Sequence, residues 1–265
     1  MRMDVNAFLE SVRVERPLVH HLTNWVTISD CAQIVKSLGA SPVMAHAAEE
    51  VAEMTSLASA LVLNIGTLTA DFVQSMINAA QAANHRGIPV VLDVCGAGAT
   101  AFRDRMCQKL VTEARIDIIK GNASEIARIA GLDVRTRGVD TSHVATDLRT
   151  LAANLARKSN GTVVITGPVD IIADTQRTLA VQNGHAMMAE VVGTGCMAAS
   201  VIGAFVGAAP RDLAAAAAAA LSCYGIAGEI AAQESDGPMS FKIKLLDCMH
   251  ALSAQDIAAM QRVEP

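Results

Sequence analysis

The chain has 265 residues, of which 52% are hydrophobic and only 3% aromatic, with a net charge of -5. That length suits one large α/β domain or two small ones, with Ala, Val, Ile and Leu filling the core. An acidic balance with no basic block excludes nucleic acid as the main partner, yet a local loop can still bind an anionic substrate.

The N-terminal run Met1-Arg2-Met3-Asp4-Val5-Asn6 lacks the apolar core of a signal peptide. His20-His21 and His46 have no carboxylate or cysteine spacing that suits a metal, and read as polar packing. Strands are expected at Ala60–Ile65, Pro89–Asp93, Ile116–Ile119 and Thr162–Thr166. Each is apolar on both faces, as in strands covered by helices on two sides. A hairpin is expected from 169–173 and 178–181 around Asp174-Thr175-Gln176-Arg177. Helical patterns fall near 70–86, 103–114, 122–131 and 141–158. This alternation predicts an α/β fold with a mostly parallel sheet and right-handed crossovers.

After Gly193 the whole remainder reads as helix. Ala214 to Ala220 are seven alanines in a row, but Arg211, Asp212, Glu229 and Glu234 punctuate or flank the segment. It is expected to pack inside the protein rather than to span a membrane. No repeat, charge run or linker divides the chain, so residues 1–265 read as a single domain. The cysteines at 31, 95, 107, 196, 223 and 248 form no C-x-x-C pair. They read as reduced thiols of a cytoplasmic protein.

In such sheets ligands collect at the carboxyl ends of the strands. Polar and glycine residues gather there in Asn64-Ile65-Gly66-Thr67, Asp93 to Thr100, Lys120 to Glu125 and Thr166-Gly167. Gly193-Thr194-Gly195-Cys196 opens a long uncharged helix. Two glycines in three residues allow a tight turn and close approach of a ligand, and a helix start presents unpaired N–H groups to phosphate. Asp93 suits a hydrated Mg²⁺ or a plain loop cap. Asn122-x-x-Glu125 is a capping-box pattern, compatible with metal duty through water. Lys120 reads as an anion partner or as a snorkelling surface lysine, and Thr166 as a phosphate-binding hydroxyl or a strand end. Cys196 as a nucleophile would need a positioned histidine, and nothing marks His20, His46, His143 or His185 for that task. A free thiol, titrating near pH ~8.5, is mostly protonated at neutral pH unless the helix shifts it. A glycine-rich anion loop suits phosphoryl transfer better, since that reaction needs positioning and charge neutralisation.

Taken in order, the chain resembles the hydroxyethylthiazole kinases, a branch of the ribokinase-like fold. The resemblance runs through Pro17-Leu18-Val19-His20 with Thr23-Asn24, Leu38 to Ala45 with Glu49-Glu50-Val51, and Leu63 to Leu68. It continues through Leu92-Asp93 with Gly96 to Thr100, Gly121 to Ile126, Val164 to Gly167, Gly193 to Cys196, and Gly237-Pro238-Met239-Ser240-Phe241. Cys196 is the sharpest element, because related sugar and vitamin kinases usually carry aspartate there. The resemblance implies a three-layer ribokinase-like domain that transfers the ATP γ-phosphoryl to 4-methyl-5-(2-hydroxyethyl)thiazole with Mg²⁺, in thiamine biosynthesis or salvage. A kinase of another small alcohol, such as a hydroxymethylpyrimidine, is the alternative.

Carried onto this chain, the resemblance places the thiazole against Met44, Asn24, Val26, Gly66 and Gly193. It places ATP phosphates against Lys120 and Thr166, the metal at Asp93 and Glu125, and an anion hole at Thr194, Gly195 and Cys196. It also implies a homotrimer with sites at subunit interfaces. Three departures stand out: Lys120 for a common arginine, Asp93-Val94-Cys95 for Asp-Pro-Val, and Trp25, Ser29, Asp30 and Gln33 in a segment usually rich in asparagine.

Overall fold

The computed structural model describes residues 3–132 and 147–265. Among them the strands are β1 (Leu18–Leu22), β2 (Ser41–Val43), β3 (Ala60–Asn64), β4 (Val90–Asp93), β5 (Ile118–Asn122), β6 (Thr162–Thr166), β7 (Asp170–Ala173), β8 (Thr178–Val181) and β9 (Val263–Glu264). They join in one sheet of order β2-β1-β3-β4-β5-β6-β7-β8-β9. Pairing is parallel from β2 to β6 and antiparallel from β6 to β9.

The helices are α1 (Val5–Glu15), α2 (Ile28–Ser37), α3 (Val51–Leu57), α4 (Ala70–Arg86), α5 (Ala101–Glu113), α6 (Ala123–Ile129), α7 (Leu148–Ser159), α8 (Thr194–Ala208), α9 (Leu213–Gln233), α10 (Pro238–Ala251) and α11 (Ala254–Met260). Of the helix expected over 141–158, residues 141–146 lie outside the described residues, as does His143.

The expected strands and hairpin form, whereas β1, β2 and β9 have no counterpart in the pattern of apolar runs. Two histidines interrupt β1, and β2 is a three-residue edge strand containing Pro42. The two-residue β9 corrects the expectation of an all-helical end, because pairing with β8 decides so short a strand. The strand expected at Ile116–Ile119 starts two residues later and runs through Lys120, which places that lysine inside the sheet.

Alternate residues of each central strand serve opposite layers. Val62, Val91, Ile118 and Val164 pack into a core with α1, α2, α8, α9 and α10. Leu61, Leu63, Leu92, Val163 and Ile165 pack into a second core with α4, α5, α6 and α7. The layer holding α8 lies close to the sheet: a Cβ at Gly203 would run into the side chain of Val62. The alanine run of α9 is buried beside α8 on the sheet, as expected from its flanking charges, although α9 is long and apolar enough to cross a membrane by length and composition.

Candidate active site

The parallel strand register brings the polar strand ends into one row. Asn64 pairs with Asp93, and Asp93 with Lys120, across β3, β4 and β5. These residues stand two positions beyond Val62, Val91 and Ile118, so strand periodicity puts them on the face occupied by α8. The row is buried and internally satisfied. Asn64 Nδ2 donates to Asp93 Oδ2 at 2.7 Å, and Lys120 Nζ donates to Asp93 Oδ1 at 3.3 Å. Lys120 Nζ also donates to the Gly195 carbonyl at 2.9 Å, tying the row to the start of α8. Burial disfavours the charge on Lys120, but Asp93, Glu125 and the thiols of Cys196 and Cys95 outweigh it and raise its pKa. Burial pushes Asp93 up, while Lys120 and Asn64 pull it back down. A surface lysine is thereby excluded for Lys120, which is only 3% exposed.

The start of α8 has no side-chain cap. Gly193 precedes it with φ +100, and a Cβ there would sit 2.7 Å from Thr27 Cγ2. Gly195 differs, because a Cβ would meet only Lys120 Nζ, at 3.4 Å. The tight turn therefore depends on Gly193 alone, and Gly195 serves only close approach. Thr194 Oγ1 points back to the Met188 and Val191 carbonyls at 2.7 and 3.2 Å, so its hydroxyl fixes the loop.

Cys196 lies over the polar row. Asn24 Nδ2 approaches its sulfur at 3.3 Å and Asn64 Nδ2 at 3.4 Å. The neighbouring Cys95 thiol is the largest influence on this thiol and lowers its pKa. Burial and Asp93 oppose that shift, Lys120 and Thr27 assist it, and Cys196 settles at about 7. Its neighbours thus bring this thiol closer to ionisation near neutral pH than a free cysteine. Cys196 in turn raises Cys95.

Asn24 organises the next loop. Its Oδ1 accepts from the Val26 and Thr27 amides and the Thr27 hydroxyl at 3.1, 3.0 and 3.1 Å, while its Nδ2 donates to Asn64 Oδ1 at 3.1 Å. The Gly66 amide donates to that same oxygen at 2.9 Å. A Cβ at Gly66 would lie 2.9 Å from Asn24 Cβ, so glycine lets the two loops meet. Val26 points largely to solvent. Met44 follows β2 at the sheet edge, half-buried and outside this hydrogen-bonded cluster.

Glu125 closes the capping box of α6, accepting from the Asn122 amide at 2.7 Å through Oε2. Its Oε1 accepts from the Gly96 amide, also at 2.7 Å. Both Glu125 oxygens and both Asp93 oxygens therefore already have protein donors. A carboxylate oxygen keeps a further lone pair, so this pair fits a hydrated cation held through water. Thr166 ends β6 opposite Asn122, and its hydroxyl reaches the Gly121 carbonyl at 3.4 Å.

Residues 9–255 match the profile of the hydroxyethylthiazole kinase family. The chain belongs to that family. It is 52% identical over 256 residues to the hydroxyethylthiazole kinase of Methanosarcina mazei, covering 97% of this chain and 98% of the relative. The structure of the hydroxyethylthiazole kinase from Pyrococcus horikoshii superposes with a TM-score of 0.89 at 40% identity, covering 98% of both chains. A ribokinase-like superfamily protein from Enterococcus faecalis shares the fold at 13% identity, with a TM-score of 0.64 over 93% of this chain and 94% of that one. The architecture is ribokinase-like, as the sequence motifs imply.

Sequence reasoning places Asn64 and Cys95 in ligand-type strand ends but gives neither a role in the site. The signal for Asn64 was present, since it is a polar residue closing an apolar strand. Cys95 carried none, because only the folded loop sets it beside Cys196.

Proposed function

We propose that the protein transfers the γ-phosphoryl of ATP to the primary hydroxyl of 4-methyl-5-(2-hydroxyethyl)thiazole. The observation that carries this reading is the uncapped start of α8 set over the Asn64–Asp93–Lys120 row. The amides from Thr194 to Cys196 are preorganised donors for the charge on a transferring phosphoryl group, and Lys120 adds a fixed positive charge beneath them. Cys196, near neutrality and held by Asn24 and Asn64, accepts the proton of the attacking hydroxyl as the oxygen–phosphorus bond forms and the γ-phosphoryl leaves ADP.

Mg²⁺ supplies charge neutralisation between phosphate oxygens when bound. Asp93 and Glu125 would hold it through water. Thr166 offers a hydroxyl to the nucleotide phosphates. Gly66, Gly193, Asn24 and Val26 line the acceptor side, with Met44 at its edge.

The chain acts as one cytoplasmic domain and assembles as a homotrimer. Free thiols throughout the described residues suit a reducing compartment. Val26, Val192, Met239 and Ile243 each expose more than half of their surface around the corner where Lys242 pairs with Asp30 at 2.6 Å. Such apolar exposure beside a site supports a subunit interface.

The test is acceptor-dependent ADP release measured with the thiazole alcohol and with a hydroxymethylpyrimidine. Preference for the thiazole is expected. Turnover of the pyrimidine alone would assign the protein to another alcohol, and no acceptor-dependent release would remove the kinase reading.

A further inference from the structure

We propose that Arg103 is a positioning residue that locks the acceptor loop to the loop leading from Asp93 toward the phosphates. Arg103 stands in the first turn of α5, outside every residue set discussed above. Its Nη1 donates to the Ile65 carbonyl at 2.8 Å and to the Cys95 carbonyl at 3.1 Å. Its Nη2 donates to the Gly66 carbonyl at 2.8 Å. These carbonyls lie just past the ends of β3 and β4, where the ladder no longer satisfies backbone groups. One planar fork therefore bridges two adjacent loops, which a lysine's single ammonium does less well.

The surrounding geometry is built around that fork. Gly96 has φ +79, and a Cβ there would sit 3.1 Å from Arg103 Nη1, so the guanidinium lies against bare backbone. The next residue assists: Asp104 Oδ1 accepts from the Gly98 amide at 2.8 Å, and Arg128 holds the other Asp104 oxygen at 2.8 Å. Hydrogen bonds to three carbonyls occupy three of the five guanidinium N–H groups. Arg103 thus commits most of its fork to backbone carbonyls.

The two loops belong to the two halves of the reaction. Gly66 touches Asn24 and Asn64 beside Cys196. Gly96 donates to Glu125, and the same loop leaves β4 at Asp93. Arg103 sets the distance between the half-site for the acceptor and the half-site for the phosphoryl donor. This deepens the kinase reading and rests on it for the meaning of the halves.

The experiment compares the full-length protein with R103A and R103K by hydrogen exchange and by steady-state kinetics, each with and without millimolar guanidinium. Faster exchange in R103A is expected at 64–68 and 94–99, with the buried α8 and α9 unchanged. kcat should fall about a hundredfold, the scale of an ~1 Å misplacement, while both KM values stay near the parent values. Guanidinium should slow exchange in both loops and restore turnover in R103A, but not in R103K, where the lysine fills the space. Unchanged loop exchange in R103A overturns the proposal, as does a loss of activity explained wholly by an unfolded fraction and untouched by guanidinium. A parent protein inactive on the thiazole alcohol would count against the functional reading only, since exchange in the two loops still decides the role of Arg103.

Discussion

Two helices begin at the carboxyl edge of the same sheet and begin in opposite ways. At α6 the Asn122 side chain accepts from the Glu125 amide, and Glu125 accepts from the Asn122 amide in return. That start is closed by its own residues. At α8 the preceding residue is Gly193, which brings no side chain, and the first turn carries no acidic residue. That start is open: its first amides have no side-chain acceptor, and Lys120 reaches the Gly195 carbonyl in the same turn. A closed start is scaffold, whereas an open one beside a buried cation is a place for an anion.

The largest expected effect comes from the glycine that holds α8 open. Gly193→Val forces a branched side chain into a left-handed backbone position and against Thr27. It should lower kcat on the order of a hundredfold or more, the scale of losing anion-hole donors. Gly195→Ala should lose far less, because its Cβ meets only Lys120 Nζ, at 3.4 Å, and its backbone is not left-handed. Equal losses in the two variants would mean that the turn at Gly193 is not what shapes the site.

An intermediate effect is expected at Cys196. Its thiol titrates at about 7 and is a proton acceptor only when ionised, so kcat of the parent should rise with pH through that value. Cys196→Ala should lose that limb of the profile and less than about a hundredfold in kcat, the low end of general-base contributions. Cys196→Asp should stay active and shift the limb to lower pH. A parent profile flat across pH 6 to ~8 would leave Cys196 as part of the wall of the anion hole.

The smallest effect belongs to the closed start. Glu125→Gln keeps one acceptor oxygen of the two that serve Asn122 and Gly96. Loss of a cap costs about 1 kcal/mol, readable as a lower denaturant midpoint. The Mg²⁺ concentration for half-maximal rate should rise at the same time. A stability loss with an unaltered Mg²⁺ requirement would confine Glu125 to capping.

By itself the sequence determined the β-α alternation, the hairpin, the buried alanine helix and the carboxyl-end location of the polar residues. Those features are local, because strand and helix periodicities and the capping pattern are written in neighbouring residues. The interrupted run of β1, the proline in β2 and the brevity of β9 hid three strands, since pairing with existing strands outweighs weak local preference. Only the tertiary structure decided that Asn64, Asp93 and Lys120 form one satisfied row, because strand register is a relation between segments. It also decided that Gly193 rather than Gly195 carries the backbone demand, and that Asn24 and Asn64 converge on Cys196. Dihedral angles and through-space contacts of this kind depend on what lies across the loop, and neighbouring residues do not record it.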